Sequence, residues 1–214
     1  MKTGTMNNYV KSSKSFGGVR KCYEGHTPTA VGGFNIDLSL LPDAPNAMAA
    51  GTPVFADEQA RTIVPLYTFR VLEVDSNEKT ITVEKFETGT VAKVGMKLIV
   101  VGNDLTSAAS NVATISAIDD SAADVDVLTV DAVTGVTAGA VLAEAGNDSK
   151  VKVVPNGLTY CDNVLDPDAY AMDVDYIWNC MEKPVLERRM PPLTDSLKKA
   201  LRDNECYFRF SNRK

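Results

Sequence analysis

VLEVDSNEKTITVEKFETGTVAKVGMKLIVVGND, residues 71–104, and TISAIDDSAADVDVLTVDAVTGVTAGAVLAEAGND, residues 114–148, are two diverged copies of one pattern with a period of about 44 residues. Val74-Asp75 matches Ile118-Asp119, Gly95 matches Gly139, Leu98 matches Leu142, and Gly102-Asn103-Asp104 matches Gly146-Asn147-Asp148. Thr82-Val83 matches Thr129-Val130 with a three-residue shift. Within each copy, short alternating apolar and polar runs, clearest from Thr80 to Phe86, stand between turn signals such as Asp-Ser-Asn-Glu and Asp-Asp-Ser-Ala, which predicts three short strands per copy. One such unit leaves strand edges and an apolar face uncovered. Two units related by a pseudo-twofold axis can close on each other. The expected fold is therefore mainly β, a small β-barrel built by internal duplication over residues 67–154, with an extended N-terminal arm and one short C-terminal helix.

Working outward, Pro42, Pro45, Pro53 and Pro65 forbid a long helix before the repeat and leave edge strands and turns. Gly51-Thr52-Pro53-Val54 reads as a strand entered from a tight turn. Residues 36–66 join 155–214 in a second β-rich part. There the alternation from Ala171 to Cys180 predicts one long strand with Trp178 in the core, and Cys206, Phe208 and Phe210 alternate with Tyr207 and Arg209 as a closing strand. Between them a helix is predicted over 193–202: Pro191 and Pro192 set its start, Thr194 can cap it, Asp195 sits in the positive first turn, and Leu193, Leu197, Ala200 and Leu201 form its apolar stripe. Residues 1–35 sustain neither a helical nor a strand period, which predicts an arm that takes its order from another chain.

The 214 residues are 44% hydrophobic and 23% charged, enough for a real core. No run reaches the ~18 apolar residues of a membrane span, and MKTGTMNNYVKSSK has no apolar segment of the kind a secretory signal needs. Four cysteines without a Cys-x-x-Cys read as thiols. The one histidine, His26, cannot build a two-His metal site, and no Gly-x-Ser-x-Gly elbow accompanies it. The acidic runs at 119–126 and 162–175 lack a calcium-loop pattern and read as solvated turns. Neither catalysis, cofactor nor metal is expected.

Charge is unevenly spread. Residues 1–32 carry five basic groups against one acid, 33–182 eight against 23, and 183–214 nine against four, giving +4, -15 and +5. A basic arm, acidic body and basic tail suit contacts between copies or with a charged lattice, whereas the body opposes a nucleic-acid backbone. Candidate partner-binding residues are Tyr9, Phe16, Arg20 and Tyr23 in the arm and Arg188, Arg189, Lys198 and Lys199 in the tail.

Ala50-Gly51-Thr52-Pro53-Val54, Val64-Pro65-Leu66, Gly157-Leu158-Thr159-Tyr160 and Met190-Pro191-Pro192-Leu193, with Leu197-Lys198-Lys199-Ala200-Leu201 and a closing aromatic strand, stand in an order that resembles the head fibre and capsid decoration proteins of tailed bacteriophages. The resemblance touches residues 50–66 and 157–210, and the duplicated body departs from the simplest family pattern. It implies a multimeric, non-enzymatic virion structural protein on the capsid surface, made in the bacterial host cytoplasm. Its implied partners are the major capsid protein and further copies of itself, with no small-molecule substrate, nucleic acid or membrane. The alternative reading is a β-barrel surface or carbohydrate-binding module.

Overall fold

The computed structural model describes residues 22–23, 27, 29–30, 33–43, 46–164 and 171–212. Four strands precede the repeat: β1 (Phe34–Ile36), β2 (Ala47–Met48), β3 (Pro53–Asp57) and β4 (Thr62–Pro65). The repeat supplies β5 (Thr68–Asp75), β6 (Thr80–Glu84), β7 (Lys97–Val100), β8 (Ala113–Asp119), β9 (Val125–Val130) and β10 (Val141–Glu144). After it come β11 (Gly157–Thr159), β12 (Asn163–Val164), β13 (Asp173–Val174), β14 (Tyr176–Ile177) and β15 (Asn179–Leu186), then helix α1 (Asp195–Asp203) and β16 (Tyr207–Ser211).

Strands β5 to β10 close into a barrel in the order β10-β5-β6-β9-β8-β7. Exchanging the two copies, β5 for β8, β6 for β9 and β7 for β10, returns the same ring, and the register obeys the exchange. Val71 pairs with Val83 as Ile115 pairs with Val130, and Val74 with Ile81 as Ile118 with Leu128. Ile81 pairs with Leu128 and Ile99 with Ala143, so these two pairs map onto themselves and mark where the pseudo-twofold axis crosses the wall. The hydrogen bonds from Gly95 N to Ile115 O and from Gly139 N to Val71 O, both 2.8 Å, are equivalent as well. The interior is filled by Phe69, Val71, Ile81, Val83, Leu98, Ala113, Ile115, Leu128, Val130 and Leu142, all buried. It is packed core with no lumen, as a ring of so few strands requires.

The turns follow the sequence. Asp75 Oδ1 accepts from Asn77 N at 2.8 Å, and Asp119 Oδ1 accepts from Ser121 N at 3.0 Å. These bonds turn the chain from the first to the second strand of each copy.

Outside the barrel, β13-β1-β4-β3-β11-β14 form a six-stranded sheet in which only β1 and β4 run parallel. Phe34, Ile36, Ile63, Val174 and Tyr176 from this sheet share one continuous core with the barrel. Helix α1 is capped by Thr194, whose hydroxyl accepts from Leu197 N at 3.3 Å. It starts two residues later than the predicted span, because the residue before the cap cannot be helical. Leu197 and Ala200 pack with Leu66, Ile99 and Ala143 on the outer barrel wall, while Leu201 packs with Val185 and Cys206 in the C-terminal layer.

Two readings of the C-terminal region are corrected. The predicted strand from 171 to 180 is three pieces, β13, β14 and the start of β15, which serve different sheets; Trp178, expected in the core, is 42% exposed at the break before β15. The alternation there reflects residues facing different neighbours in turn, which a single pleated strand would also produce. All four cysteines are thiols.

Gly95 and Gly139 adopt φ of +87° and +83°, and a Cβ at either would meet nothing within 4 Å. Replacing either by Ala therefore costs only backbone strain, about 1–2 kcal/mol and similar for the two sites. Denaturant unfolding of Gly95→Ala and Gly139→Ala checks this; sharply unequal costs would break the equivalence of the copies.

Candidate functional site

Strands β5 and β8 turn the two corners of the barrel, each with a register shift, between Val71 and Glu73 in one and between Ile115 and Ala117 in the other. At the β8 corner Thr114 N donates to the Asp131 carboxylate at 2.7 Å and Asp131 N donates to Thr114 O at 3.1 Å. At the β5 corner the equivalent residues are Arg70 and Glu84, and the longer carboxylate instead accepts from Arg70 Nε at 3.1 Å. A cleft of about 480 Å³ lies at this corner, walled by Thr68–Arg70 and Glu84–Phe86 on the barrel side and by Glu187, Arg188 and Met190–Leu193 opposite.

The segment 187–193 is a strap held at its start and at its middle. Glu187 accepts from Lys198 Nζ at 2.8 Å, and Met190 is buried against Gly51 and Cys22. Gly51 has φ +80°, and a Cβ there would lie 2.7 Å from Met190 Cβ and 2.9 Å from Cys22 Sγ, so only glycine lets strap and turn approach so closely. Beneath the strap Thr52 N donates to Thr159 Oγ1 at 3.0 Å, Thr159 N to Thr52 O at 3.0 Å, and Thr159 Oγ1 to Ala49 O at 2.8 Å. The motifs 50–54, 157–160 and 190–193, far apart in sequence, thus meet in one platform.

Electrostatically the cleft floor is rigid. Lys85 Nζ and Asp126 Oδ1 are 2.9 Å apart, with side chains only 5% and 4% exposed. Lys85 also donates to Asp120 O at 2.6 Å and Ala122 O at 2.7 Å, and Thr90 donates to Asp126 Oδ1 at 3.0 Å, so further hydrogen bonds support both partners of the buried pair, as desolvation demands. Thr68 and Thr88, 5% and 0% exposed, also line the cleft, and their hydroxyls find no partner among the described residues.

The predicted partner-binding residues have different fates. Tyr9, Phe16 and Arg20 lie outside the described residues. Tyr23 is 3% exposed, bridged to Val185 and with its ring 5.4 Å from Tyr160, so it belongs to this chain's own core; burial pushes its hydroxyl pKa well above the ordinary value. Lys198 is drawn to Glu187 and lies 5.3 Å from the Phe210 ring centroid, and Lys199 pairs with Asp203 at 2.5 Å. Arg188 and Arg189 are exposed on the strap, and Arg188 lines the cleft with no ion-pair partner among the described residues. Sequence reasoning missed Thr68, Arg70, Lys85 and Thr88. The available signal was divergence between the copies, which carry Val112, Thr114, Ala132 and Gly135 at the equivalent positions.

Elsewhere, Cys206 Sγ donates to Asn156 O at 2.8 Å, and burial pushes its thiol up to about 11, which suits a structural thiol better than a nucleophile. Among the described residues no group of three His, Cys, Asp or Glu side chains is placed to hold a metal ion. No described helix is long and apolar enough to cross a membrane. Comparison with known proteins finds no matching family model, no matching curated protein and no matching solved structure.

Removing one partner of the buried pair strands the other. Lys85→Met is expected to cost about 3–5 kcal/mol, and adding Asp126→Leu to recover much of it. Glu84→Gln, which breaks only the half-exposed pair with Arg70, should stay within about 1 kcal/mol. Urea unfolding of the variants separates these outcomes; equal costs for Lys85→Met and Glu84→Gln would contradict the assignment.

Proposed function

We propose that the chain is a non-enzymatic virion structural protein that attaches to the major capsid protein of a tailed phage, as a homo-oligomeric decoration or cementing subunit or as a head-fibre base. The observation that carries the reading is the convergence of the motifs on which the phage resemblance rests. Gly51, the Thr52–Thr159 knot and Met190 form one packed platform, so the motifs mark a single structural unit.

Beside that platform lies a surface suited to docking. Strand β16 has β15 as its only strand partner among the described residues, in a parallel pair. Two-stranded sheets are marginal alone and open edges invite a further strand. Trp178, Met181 and Tyr207 are 42%, 52% and 50% exposed around the start of this pair, the aromatic and Met composition favoured at interface centres. Lys198 and Lys199, both paired within the chain, contribute less than the sequence suggested, so attachment rests on apolar burial more than on charge.

Quantitative mass spectrometry of virions purified from the strain that encodes the chain tests the reading. Many copies per particle are expected, with Trp178→Ser or Tyr207→Ser lowering occupancy while the fold is kept. Presence in the lysate and absence from the particles would overturn it.

A further inference from the structure

We propose that the cleft under the strap is a binding site for a hydroxyl-rich ligand of about one sugar ring carrying a single carboxylate, the chemistry of a uronic acid. This goes beyond capsid attachment and does not depend on it.

The two copies of the repeat show what the barrel needs and what it does not. At the β8 corner the fold is built with Val112, Thr114, Ala132 and Gly135; at the β5 corner the same positions hold Thr68, Arg70, Lys85 and Thr88. Closing a corner therefore does not require these polar groups. Burying Thr68 and Thr88 with hydroxyls that have no partner among the described residues carries a desolvation cost that a valine would avoid. Both residues line the cleft with their hydroxyl oxygens just beneath its surface, so a ligand hydroxyl that presses the wall aside by a side-chain shift can both donate to and accept from them.

Charge narrows the class further. Three cations and three carboxylates line the cleft. Arg70 is paired with Glu84, Lys85 with Asp126, and Glu187 with Lys198, which leaves Arg188 as the lining cation with no ion-pair partner among the described residues. One uncommitted guanidinium beside fixed carboxylates accepts one carboxylate in a bidentate pair and disfavours a dianion such as phosphate. The strap adds Pro191, Pro192 and Leu193 as an apolar wall for the C–H face of a ring. The cleft volume of about 480 Å³ falls within the roughly 300–1,000 Å³ usual for small-molecule sites.

Isothermal titration of the full chain with sodium glucuronate, methyl glucoside and inorganic phosphate tests this. Glucuronate should bind, methyl glucoside more weakly, and phosphate not measurably. Arg188→Gln should weaken glucuronate about tenfold and abolish its advantage over methyl glucoside, as loss of a charge-assisted bond would. Thr68→Val should weaken both sugars about fivefold, the effect of one hydrogen bond, and Thr68→Ser should keep binding. Thr114→Val, at the equivalent corner, should change nothing; circular dichroism of each variant confirms the fold. Absence of glucuronate binding, equal binding of phosphate, or indifference to both Arg188→Gln and Thr68→Val would overturn the proposal.

Discussion

Everything in this molecule hangs on the pairing of β6 with β9, centred on Ile81 opposite Leu128. Within each copy only the first two strands pair with each other, and the third, β7 or β10, finds both its neighbours in the other copy, so the ring closes through β6–β9 and β7–β10 across the pseudo-twofold axis and through β5–β10 and β7–β8 beside it. That closure removes the barrel's edges and buries both apolar faces in one core. It also fixes the positions of the two corners, because β5 and β8 must shift register to pass from one half of the wall to the other.

The rest of the chain uses the symmetric barrel asymmetrically. Helix α1 lies on the outer wall over Ile99 and Ala143, and the strap, tied to it through Glu187 and Lys198, faces the β5 corner. Gly51, Met190 and the Thr52–Thr159 knot hold the strap from below. Only one of two equivalent corners is thereby enclosed. That corner carries Arg70, Lys85 and two hydroxyls with no partner among the described residues, while its counterpart is closed by a short Asp131–Thr114 exchange.

The barrel was legible in the sequence because duplication prints the same anchors twice, and the shift at Thr82-Val83 against Thr129-Val130 appears in the register as found. The helix was legible from Thr194 and the Leu197, Ala200, Leu201 stripe. Residues 171–180 misled because alternation records which residues are buried, not whether one sheet buries them: Val174 pairs with β1, Ile177 with β11, and Cys180 with β16. Tyr23 looked like an arm residue because its neighbours in sequence are polar, and its partners Val185 and Tyr160 are more than a hundred positions away. The cleft was hidden for the same reason, since its strap and floor meet only in three dimensions.

Native-state hydrogen exchange resolved to single amides tests the central claim, that closure across the axis makes the two copies one cooperative unit. Amides of β6 and β9, and of β7 and β10, should fall in the slowest class and open together with the same free energy, the global one, with the strap opening earlier. Exchange of β5 to β7 in one step and β8 to β10 in another, at clearly different free energies, would mean that the copies are independent units, and the account built on their closure would fail.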